Sequence, residues 1–542
     1  MNGAETLLRQ NHADDGAPAP QSLLMHEILA TKARLYPDRV FTEFDDRSLR
    51  YGPLHAEAMQ LAAALAAHGV AKGDPVILIM NSRTEYAVLM FALSYLGAVA
   101  VPVNPALKGE SLRHVLNVMK ARTAVIESSF LERVTDVVGA PSQYFDVCIV
   151  LDESGNEAGG AIPYAALMAT QSALPPSQTE PTDPWGVIFT SGTTGVAKGV
   201  LVPHQHVVLL ARDMAHSMGV DANAVPYTFN PLFHLNAIAC GPLAALLTGA
   251  KAVIRSKFPR EHLLQDLQDT GATHVAIPPF VVRGLLAQPP QPQEQALSLR
   301  VVASYGITPQ ETQQLESRFN CKLYKAYGSS EMGMICLPQP SQDGSVGKIS
   351  PYQEVRIVDA EGNDLPPGKP GELLARPRRA GDRMLGYYNM PEETAAAFVG
   401  DWYKSGDLGY VDAAGNFWFI DRMNEAIKRR GENIPVNDVE AVLSSFPGVA
   451  NAAVLGYQIP GEKEEEIRAF LELDKPGGKI DFEALVMHCA RNLAYFMVPR
   501  LLEVIPALPR NPVGKVEKHK LKSLPLTSAT FDLKKSAIRI NR

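Results

Sequence analysis

The chain has 542 residues, 46% of them hydrophobic and 20% charged, the proportions of a soluble globular protein with more than one domain. Its 51 lysines and arginines face 58 aspartates and glutamates, and this net charge of −7 argues against binding to nucleic acid or to an anionic membrane. Its five cysteines are scattered without metal-ligand spacing, which argues against a disulfide framework or a zinc site and indicates a reducing compartment.

The first 20 residues predict a loose tail, and the cytoplasm is the expected location because a secretory signal pattern is missing. Residues 21–422 alternate short apolar runs with helical patterns, which is typical of parallel sheets covered by helices. The longest apolar run, 87–103, is shorter than a membrane span and is interrupted at Gly97, so it predicts a buried helix followed by a strand. Strands are predicted at 75–80, 98–103, 123–127, 145–151 and 274–279, and helices at 109–121 and 260–271.

The pattern changes twice in the second half of the chain. Alternating apolar residues separated by Gly- and Asn-rich turns predict a smaller antiparallel β region over 345–420. Residues 423–542 predict a small α+β domain, which follows a charged joint at 420–433. We therefore expect an α/β fold with a large N-terminal domain of parallel sheets and helices, a small distorted β-barrel region, and a small mobile C-terminal domain.

A predicted strand at 185–190 leads directly into the stretch TSGTTGVAKG, residues 190–199. Its glycines allow several backbone N–H groups to point at one place, while its hydroxyls and Lys198 add donors and positive charge. This composition favours phosphate binding, with a flexible surface turn as the alternative. It is not the P-loop NTPase pattern, because alanine precedes Lys198 and glycine follows it.

Two later stretches supply the other groups that a nucleotide site needs. KAYGSSEMG, residues 325–333, offers the ring of Tyr327 for stacking on a base and the carboxylate of Glu331. A carboxylate beside a phosphate loop needs a divalent cation between them, which indicates Mg²⁺. WYKSGDLGY, residues 402–410, places Asp407 in a glycine-flanked turn that suits two vicinal ribose hydroxyls.

Together these stretches resemble the motifs of the adenylate-forming superfamily, which includes acyl-CoA synthetases, aryl-CoA ligases, firefly-type luciferases and peptide-synthetase adenylation domains. FTSGTTGVAKGV resembles its phosphate loop, YGSSE its Tyr-Gly-x-Thr-Glu motif, and YKSGDLG its Tyr-Arg-Thr-Gly-Asp motif. DRMNEAIKRRGENI (421–434) resembles the hinge motif, and LPRNPVGKVEK (508–518) resembles the motif of the C-terminal catalytic lysine. PLFHLNA and IPPFVVRGLLAQP are most similar to the crotonobetaine/carnitine-CoA ligase branch.

The resemblance implies ATP-dependent ligation of a small carboxylic acid to coenzyme A through an acyl-adenylate, with release of AMP and pyrophosphate. Mg²⁺ is the implied cofactor, and ATP and CoA are the implied co-substrates. Lys515, Glu331 and Lys198 are the implied catalytic residues, and Glu331 is also the implied Mg²⁺ ligand. The implied nucleotide-binding residues are Thr190, Ser191, Gly192, Thr193, Thr194, Gly195, Ser304, Tyr305, Gly306, Tyr327, Ser330, Asp407 and Arg422. The resemblance also implies His234 and Asn236 in the acyl pocket, Gly431 in the CoA channel and Asn424 at the hinge.

The sequence departs from the family pattern at four places. Ser330 replaces the usual threonine but keeps the hydroxyl, and ASYGITP (303–309) lacks the usual Gly-Ala-Ala-Pro-Leu beside the adenine. Asn424 stands where the family often has a hinge aspartate or lysine, and Asp421 stands where glycine is usual. These departures weaken the predictions for the hinge and for adenine recognition more than those for phosphate.

Several alternatives stay open from the sequence. The stretch around His234, residues 229–249, holds no aspartate or glutamate, which disfavours a plain α-amino acid and favours a short or small polar acid. The basic run 428–430 is either a solvated face or a site that attracts the phosphates of CoA. The acceptor of the acyl group could also be a carrier protein or oxygen, and a nucleotide-binding regulator is the alternative of another class. Neither a nucleic-acid partner nor a transmembrane segment is expected, and a homodimer is the expected oligomer.

Overall fold

The computed structural model of the chain describes residues 20, 22–45, 47–151, 160–190, 197–340, 344–422, 427–429, 432–434, 436–459, 462, 464–475, 477–509, 516 and 518–540. No helix within these ranges is long and apolar enough to cross a membrane. The predicted tail, residues 1–20, lies almost entirely outside the described residues. The predicted domain boundary at 422/423 stays a prediction.

The first part of the chain alternates strands and helices. The helix over the longest apolar run ends at Leu96, and Gly97 follows it with a φ of 68°, a left-handed conformation that glycine adopts without strain. This run is therefore a buried helix followed by a strand, as the sequence predicts. The elements are α1 (Met25–Leu35), β1 (Val40–Glu43), β2 (Ser48–Arg50), α2 (Tyr51–Ala67), β3 (Pro75–Ile79), α3 (Thr84–Leu96), β4 (Val99–Pro102), α4 (Gly109–Met119), β5 (Thr123–Glu127), α5 (Leu131–Val138), α6 (Pro141–Tyr144), β6 (Val147–Leu151), β7 (Ile162–Pro163), α7 (Tyr164–Met168) and β8 (Pro184–Thr190).

The next part contains a largely buried helix of 15 residues, His204–Met218, and an irregular helical segment. Residues Ala239–Leu243 form a π-helical turn that contains Pro242, and it continues directly into the helix that follows. Such turns are frequent at functional sites. The elements are β9 (Lys198–Pro203), α8 (His204–Met218), β10 (Pro226–Thr228), α9 (Leu235–Ile238), α10 (Ala244–Thr248), β11 (Ala252–Ile254), α11 (Leu263–Thr270), β12 (His274–Ala276), α12 (Pro279–Leu286), β13 (Val301–Ala303), α13 (Pro309–Phe319), β14 (Lys322–Ser329) and β15 (Gly333–Pro340).

Residues 347–422 are mainly antiparallel strands, as the alternating pattern predicts. The described strands make a six-stranded sheet in the order β16-β22-β21-β18-β17, with β20 paired to β21. The elements of this part are β16 (Gly347–Lys348), β17 (Gln353–Val358), β18 (Gly371–Pro377), β19 (Gly386–Tyr387), α14 (Pro391–Ala396), β20 (Phe398–Val399), β21 (Trp402–Val411) and β22 (Asn416–Arg422).

The C-terminal part has its own sheet and its own core. Its described strands form a four-stranded sheet in the order β25-β26-β27-β28 beside a two-stranded ribbon, β23-β24. An apolar cluster that includes Ile427, Val454, Phe496 and Leu502 fills the space between this sheet and its helices. The elements are β23 (Ile427–Arg429), β24 (Glu432–Ile434), α15 (Val436–Ser444), β25 (Val449–Gln458), β26 (Glu465–Leu473), α16 (Phe482–Asn492), β27 (Leu501–Val504), α17 (Lys518–Lys522) and β28 (Phe531–Asp532).

Two eight-stranded sheets organise the described residues of the large N-terminal part. One has the order β15-β14-β13-β12-β10-β11-β1-β2, and the other has the order β19-β9-β8-β4-β3-β5-β6-β7. Their central pairs are parallel, and antiparallel pairs occur towards the edges, at β14/β15, β1/β2, β8/β9 and β9/β19. The α/β fold class predicted from the sequence is confirmed. Functional groups of such sheets gather where the parallel strands end, so the site is sought there.

A buried cluster of charged side chains joins α8 to the segment that precedes β19. Arg379 donates to Asp213 of α8 at 3.1 Å and to Asp382 at 2.9 Å. Each of these three residues is only 3–5% exposed. Asp382 also accepts a hydrogen bond from Nδ1 of His206, 2.9 Å away. Arg212 contacts Asp213 as well, at 2.9 Å. Because every carboxylate in this cluster has a cationic partner, the cluster fastens residues 379–387 to α8.

Replacing Arg379 with alanine is expected to destabilise the protein strongly. The substitution leaves two buried carboxylates without their shared guanidinium, and breaking a buried ion pair from one side costs about 3–5 kcal/mol. Denaturation in urea, followed by fluorescence, measures the change. Arg122→Ala is the matched control, because its pair with Asp146 is solvent-exposed and should contribute less than about 1 kcal/mol. Equal losses in the two variants would show that the buried cluster does not hold this segment.

Candidate active site

A cavity of about 2300 Å³ opens where strands of both eight-stranded sheets end. Residues of both sheets, of the antiparallel sheet and of the C-terminal part line it. Every predicted site residue with a described side chain takes part in this lining: Thr190, Lys198, His234, Asn236, Ser304, Tyr305, Gly306, Tyr327, Ser330, Glu331 and Asp407. Ser191, Gly192, Thr193, Thr194, Gly195, Asn424, Gly431, Lys515 and the side chain of Arg422 lie outside the described residues.

The two ends of the glycine-rich loop are fixed by a strand pair. Thr190 closes β8 and Lys198 opens β9, and these two residues are direct partners in the antiparallel register. Nζ of Lys198 lies 5.0 Å from the ring centroid of Tyr387. A ring nitrogen of His114 donates to the carbonyl of Ala197 at 2.9 Å. The described residues on either side of the loop, Thr190 and Lys198, are therefore fixed at the rim of the cavity.

Glu331 is held from both its side chain and its backbone. It follows the end of β14, and its carboxylate, in a residue only 7% exposed, accepts a hydrogen bond from the hydroxyl of Tyr387 at 3.0 Å. Its backbone carbonyl accepts from the N–H of Met384 at 2.7 Å. Burial, followed by the charge of Glu331, raises the pKa of Tyr387 well above its usual range, so its hydroxyl stays a donor at neutral pH.

The turn before Glu331 requires glycine. A Cβ atom on Gly328 would lie 2.2 Å from the carbonyl oxygen of Gly333 on the facing strand, closer than any real contact. The backbone of β14 can therefore approach β15 only without a side chain at this position. This close approach explains why glycine follows Tyr327 in the motif.

Tyr327 and Asp407 meet on one side of the cavity. The hydroxyl of Tyr327 hydrogen-bonds a carboxylate oxygen of Asp407, and its ring centroid lies 4.9 Å from that of Phe417. Asp407 is fixed by its backbone N–H, which donates to Ser405 at 3.0 Å, and it pairs in register with Arg422 across β21 and β22. The predicted adenine and ribose residues thus form one contiguous surface.

Residues 304–306 cross from β13 to α13 at the same rim. The hydroxyl of Ser304 donates to the carbonyl of Ile277 at 2.8 Å, and Gly306 has a φ of 58°. The ring of Tyr305 is 42% exposed. The backbone of this turn and the exposed ring are therefore accessible from the cavity.

The predicted acyl residues lie around α9 and the π-helical turn. His234 immediately precedes α9, and its ring lies 4.4 Å from that of Phe233. Asn236 is exposed to the cavity, and its Oδ1 lies 3.5 Å from Sγ of Cys240. Burial raises the pKa of the Cys240 thiol to about 12, so this group is neutral.

The C-terminal part contacts the large part through α4. The hydroxyl of Ser111 donates to Asp438 of α15 at 3.3 Å, and Nζ of Lys108 lies 3.4 Å from the carbonyl of Ala490. A Cβ atom on Gly109 would come within 3.0 Å of Asn492, so α4 and α16 approach closely. Burial at this contact raises the pKa of Asp438 to about 6, against the opposing effects of Ser111 and His114.

Within the basic run 428–430, the structure describes the side chain of Arg429. Arg429 is buried, pairs with Glu466 at 2.7 Å and donates to the carbonyls of Phe496 and Val498. Its guanidinium is used within the C-terminal core. Arg429 thus does not form a solvated face, and the two interpretations of the run 428–430 stay predictions.

Sequence reasoning missed Tyr387, His114 and the contact between Ser111 and Asp438. Each of these acts across a long separation, such as the 56 residues between Glu331 and Tyr387. The GYYN stretch at 386–389 offered a weak signal, because a glycine followed by aromatic residues suggests packing against a strand rather than a hydrogen bond to a carboxylate. No local pattern marks the other two.

Two family models match most of the sequence. The model described as AMP-binding enzyme matches residues 29–388, and the model described as AMP-binding enzyme C-terminal domain matches residues 438–515. The chain is 28% identical over 506 residues to a crotonobetaine/carnitine–CoA ligase of Salmonella paratyphi A, covering 90% of this chain and 97% of that relative. It is 31% identical over 523 residues to the fatty acid–[acyl-carrier-protein] ligase ScoC of Streptomyces coeruleorubidus, covering 93% and 96%.

Solved structures share the whole architecture. A double mutant of o-succinylbenzoate CoA synthetase from Bacillus subtilis, bound with the product analogue OSB-NCoA, superposes with a TM-score of 0.79 at 24% identity, covering 92% of this chain and 98% of that one. The same synthetase in complex with AMP gives a TM-score of 0.64 at 25% identity over the same shares.

The fold and the cavity at its sheet ends define a ligase that activates a carboxylate through an acyl-adenylate. The chain belongs to the AMP-binding enzyme family, as the motif resemblance indicated. The roles of the individual site residues remain predictions.

Replacing Tyr387 with phenylalanine is expected to slow adenylate formation. Losing one hydrogen bond to a charged group costs about 1.5–3 kcal/mol, which corresponds to a decrease in rate of roughly 10–100-fold. Acid-dependent exchange of labelled pyrophosphate into ATP measures this step for any acid that the enzyme activates. Tyr388→Phe is the control, because Tyr388 packs on the neighbouring apolar cluster and does not line the cavity. Matching rates for both variants would contradict a role for the contact with Glu331.

Proposed function

We propose that this enzyme joins a small carboxylic acid to coenzyme A in two steps, releasing pyrophosphate and then AMP. The observation that carries the proposal is the convergence of the phosphate-loop ends, Glu331 and the pair Tyr327–Asp407 on one cavity. Groups suited to triphosphate, cation, base and ribose are separated by up to about 200 residues in sequence and meet at the same place.

The first step must bring two anions together. A carboxylate oxygen attacks the α-phosphorus of ATP, the bond to the pyrophosphate group breaks, and an acyl-adenylate forms. Positive charge and N–H donors at the rim lower the cost of this approach, and removing one such donor typically costs about 10²–10³ in rate. Lys198, at the start of β9, and the loop that ends there supply these groups.

The residues fit a role for Mg²⁺. One oxygen of Glu331 is held by Tyr387, and its carboxylate faces the cavity from a residue only 7% exposed. In the described part of the chain, no group of three or more His, Cys, Asp or Glu residues could hold a metal ion. A single protein carboxylate suits Mg²⁺, whose other ligands at nucleotide sites are phosphate and water oxygens. When bound, Mg²⁺ would neutralise charge on the phosphates.

The arrangement of the two parts of the chain supports a second step with CoA. The TM-score is 0.79 with the relative that holds a CoA product analogue and 0.64 with the same relative holding AMP, at equal coverage of this chain. Because both values concern one synthetase and cover the same share of this chain, we attribute their difference to domain placement. We infer that this chain has the orientation of the CoA stage, in which α4 contacts α15 and α16.

A carrier protein is the alternative acceptor, favoured by the similarity to ScoC. A panel of carboxylic acids, assayed for pyrophosphate and AMP release with CoA or with an acyl carrier protein, distinguishes the two. CoA-dependent AMP release with at least one acid is expected. Release that requires the carrier protein would replace the proposed acceptor, and release of ADP would refute adenylate chemistry.

Replacing Lys515 with alanine is expected to separate the two half-reactions. Its ammonium group is proposed to contact the α-phosphate and the carboxylate only in the adenylate-forming orientation, so adenylate formation should fall by about 10²–10³. Thioester formation from supplied acyl-AMP should stay within about twofold of the wild-type rate. Stopped-flow or quenched-flow measurement of each half-reaction tests this prediction. Equal losses in both steps would contradict the two-orientation mechanism.

Asp438 is expected to give the CoA-stage contact a dependence on pH. Its pKa is raised to about 6 in the contact, so the contact favours the protonated carboxyl and weakens as pH rises from about 4 through 6. In Asp438→Asn this dependence should vanish. The ratio of variant to wild-type rate for thioester formation from supplied acyl-AMP should therefore rise with pH and level off above about pH 7. A ratio that does not change with pH would show that Asp438 does not titrate in this contact.

A further inference from the structure

One wall of the cavity is built almost entirely from neutral side chains. It combines the inward face of α8, the residues from α9 into the π-helical turn, and β15, and α8 packs against both of the other elements. We call this surface the acyl wall, and it consists of Leu210, Met214, Ala237, Cys240, Ile335 and Pro338. All six residues are buried, so a substrate group that contacts this wall is surrounded by protein and has little contact with water.

The charges of α8 nearest to this wall are directed elsewhere. Arg212 and Asp213 precede Met214 on α8, but they bind each other, and Asp213 also binds Arg379. Neither Arg212 nor Asp213 lines the cavity. Among the described residues that α8, α9, the π-helical turn and β15 contribute to the lining, none is a lysine, arginine, aspartate or glutamate.

The polar groups that α9 and the π-helical turn contribute to the cavity, Asn236 and Cys240, are uncharged. The carboxamide of Asn236 is exposed to the cavity, and the thiol of Cys240 beside it stays protonated at neutral pH. Asn236 can exchange a hydrogen bond with a neutral polar substituent, but it cannot neutralise an ion. A charged group moved from water to this wall would lose its hydration without gaining a partner of opposite charge from the described residues of these elements.

We propose that the acyl wall selects monocarboxylic acids whose acyl group carries no further charge, and that Asn236 determines this specificity. The proposal rests on the ligase function proposed above and names its substrate class. It separates this enzyme from the crotonobetaine/carnitine–CoA ligase it resembles, because both acids in that name carry a quaternary ammonium group. It also excludes dicarboxylates.

Three acids of equal chain length test the proposal. 4-(Trimethylammonio)butanoate and 5,5-dimethylhexanoate have the same shape and differ only in the positive charge, while glutarate adds a negative charge. The kcat/KM for CoA-dependent AMP formation is expected to be about 100-fold higher for 5,5-dimethylhexanoate than for either charged acid, because the unpaired charge must be desolvated. A preference below tenfold, or a preference for a charged acid, overturns the proposal.

Asn236→Asp tests the assigned residue. It keeps the shape of the side chain and adds one negative charge at a position exposed to the cavity, so folding should be preserved, as a thermal melt can verify. The ratio of kcat/KM for the trimethylammonio acid to that for its neutral isostere should rise at least tenfold. Asn451→Asp places the same charge on an exposed strand of the C-terminal part and should leave the ratio unchanged. An equal ratio in both variants overturns the role of Asn236.

The outcomes for the proposed function and for the specificity are distinct. AMP formation with the trimethylammonio acid at a higher kcat/KM than with the isostere refutes the specificity and leaves the ligase function intact. Failure of the whole carboxylic-acid panel to release AMP refutes the function. Activity with other acids but none with 5,5-dimethylhexanoate also overturns the specificity, because a compact neutral chain must enter the wall as described.

Discussion

The geometry of the active site depends on one segment, residues 379–387, which contacts both eight-stranded sheets at once. At its start, Arg379 is locked to α8 by buried carboxylates. At its end, β19 pairs with β9, which begins at Lys198. Between these points the segment grips Glu331 through Met384 and Tyr387. Glu331 on one sheet and Lys198 on the other are thus held at a fixed spacing, which the proposed chemistry between two anions requires.

The contact between the two parts of the chain is built differently. Among the described residues, its polar contacts include the hydroxyl of Ser111, the ammonium group of Lys108 and the carboxylate of Asp438, whose pKa is raised, and the backbones approach closely at Gly109. Buried clusters such as that of Arg379 resist separation, whereas a few polar contacts at a partly exposed surface break and reform readily. A ligase that must present one set of residues for adenylation and another for thioester formation needs this second kind of contact.

Local chemistry in the sequence was enough to predict the fold class and to nominate the lining of the cavity. The motif around Tyr327 can be recognised in the sequence because Gly328 lies against Gly333 and has no room for a side chain. Such a constraint permits only glycine at this position. The hydrogen bond from Tyr387 to Glu331 could not be predicted from the sequence, because it depends on how two sheets pack together. The burial of Arg429 was missed for a similar reason, since three consecutive basic residues look alike until packing selects one of them.

The π-helical turn at Ala239–Leu243 carries a consequence for how this enzyme family can diversify. A π turn holds one residue more than the hydrogen-bonding pattern of an α-helix requires. The turn accommodates this residue locally, so α9 and α10 keep nearly the faces they would present in a continuous α-helix. A residue can therefore be gained or lost here without rotating α9 or disturbing the sheets. The cavity beside Asn236 can thus change shape in small steps while the rest of the fold stays the same.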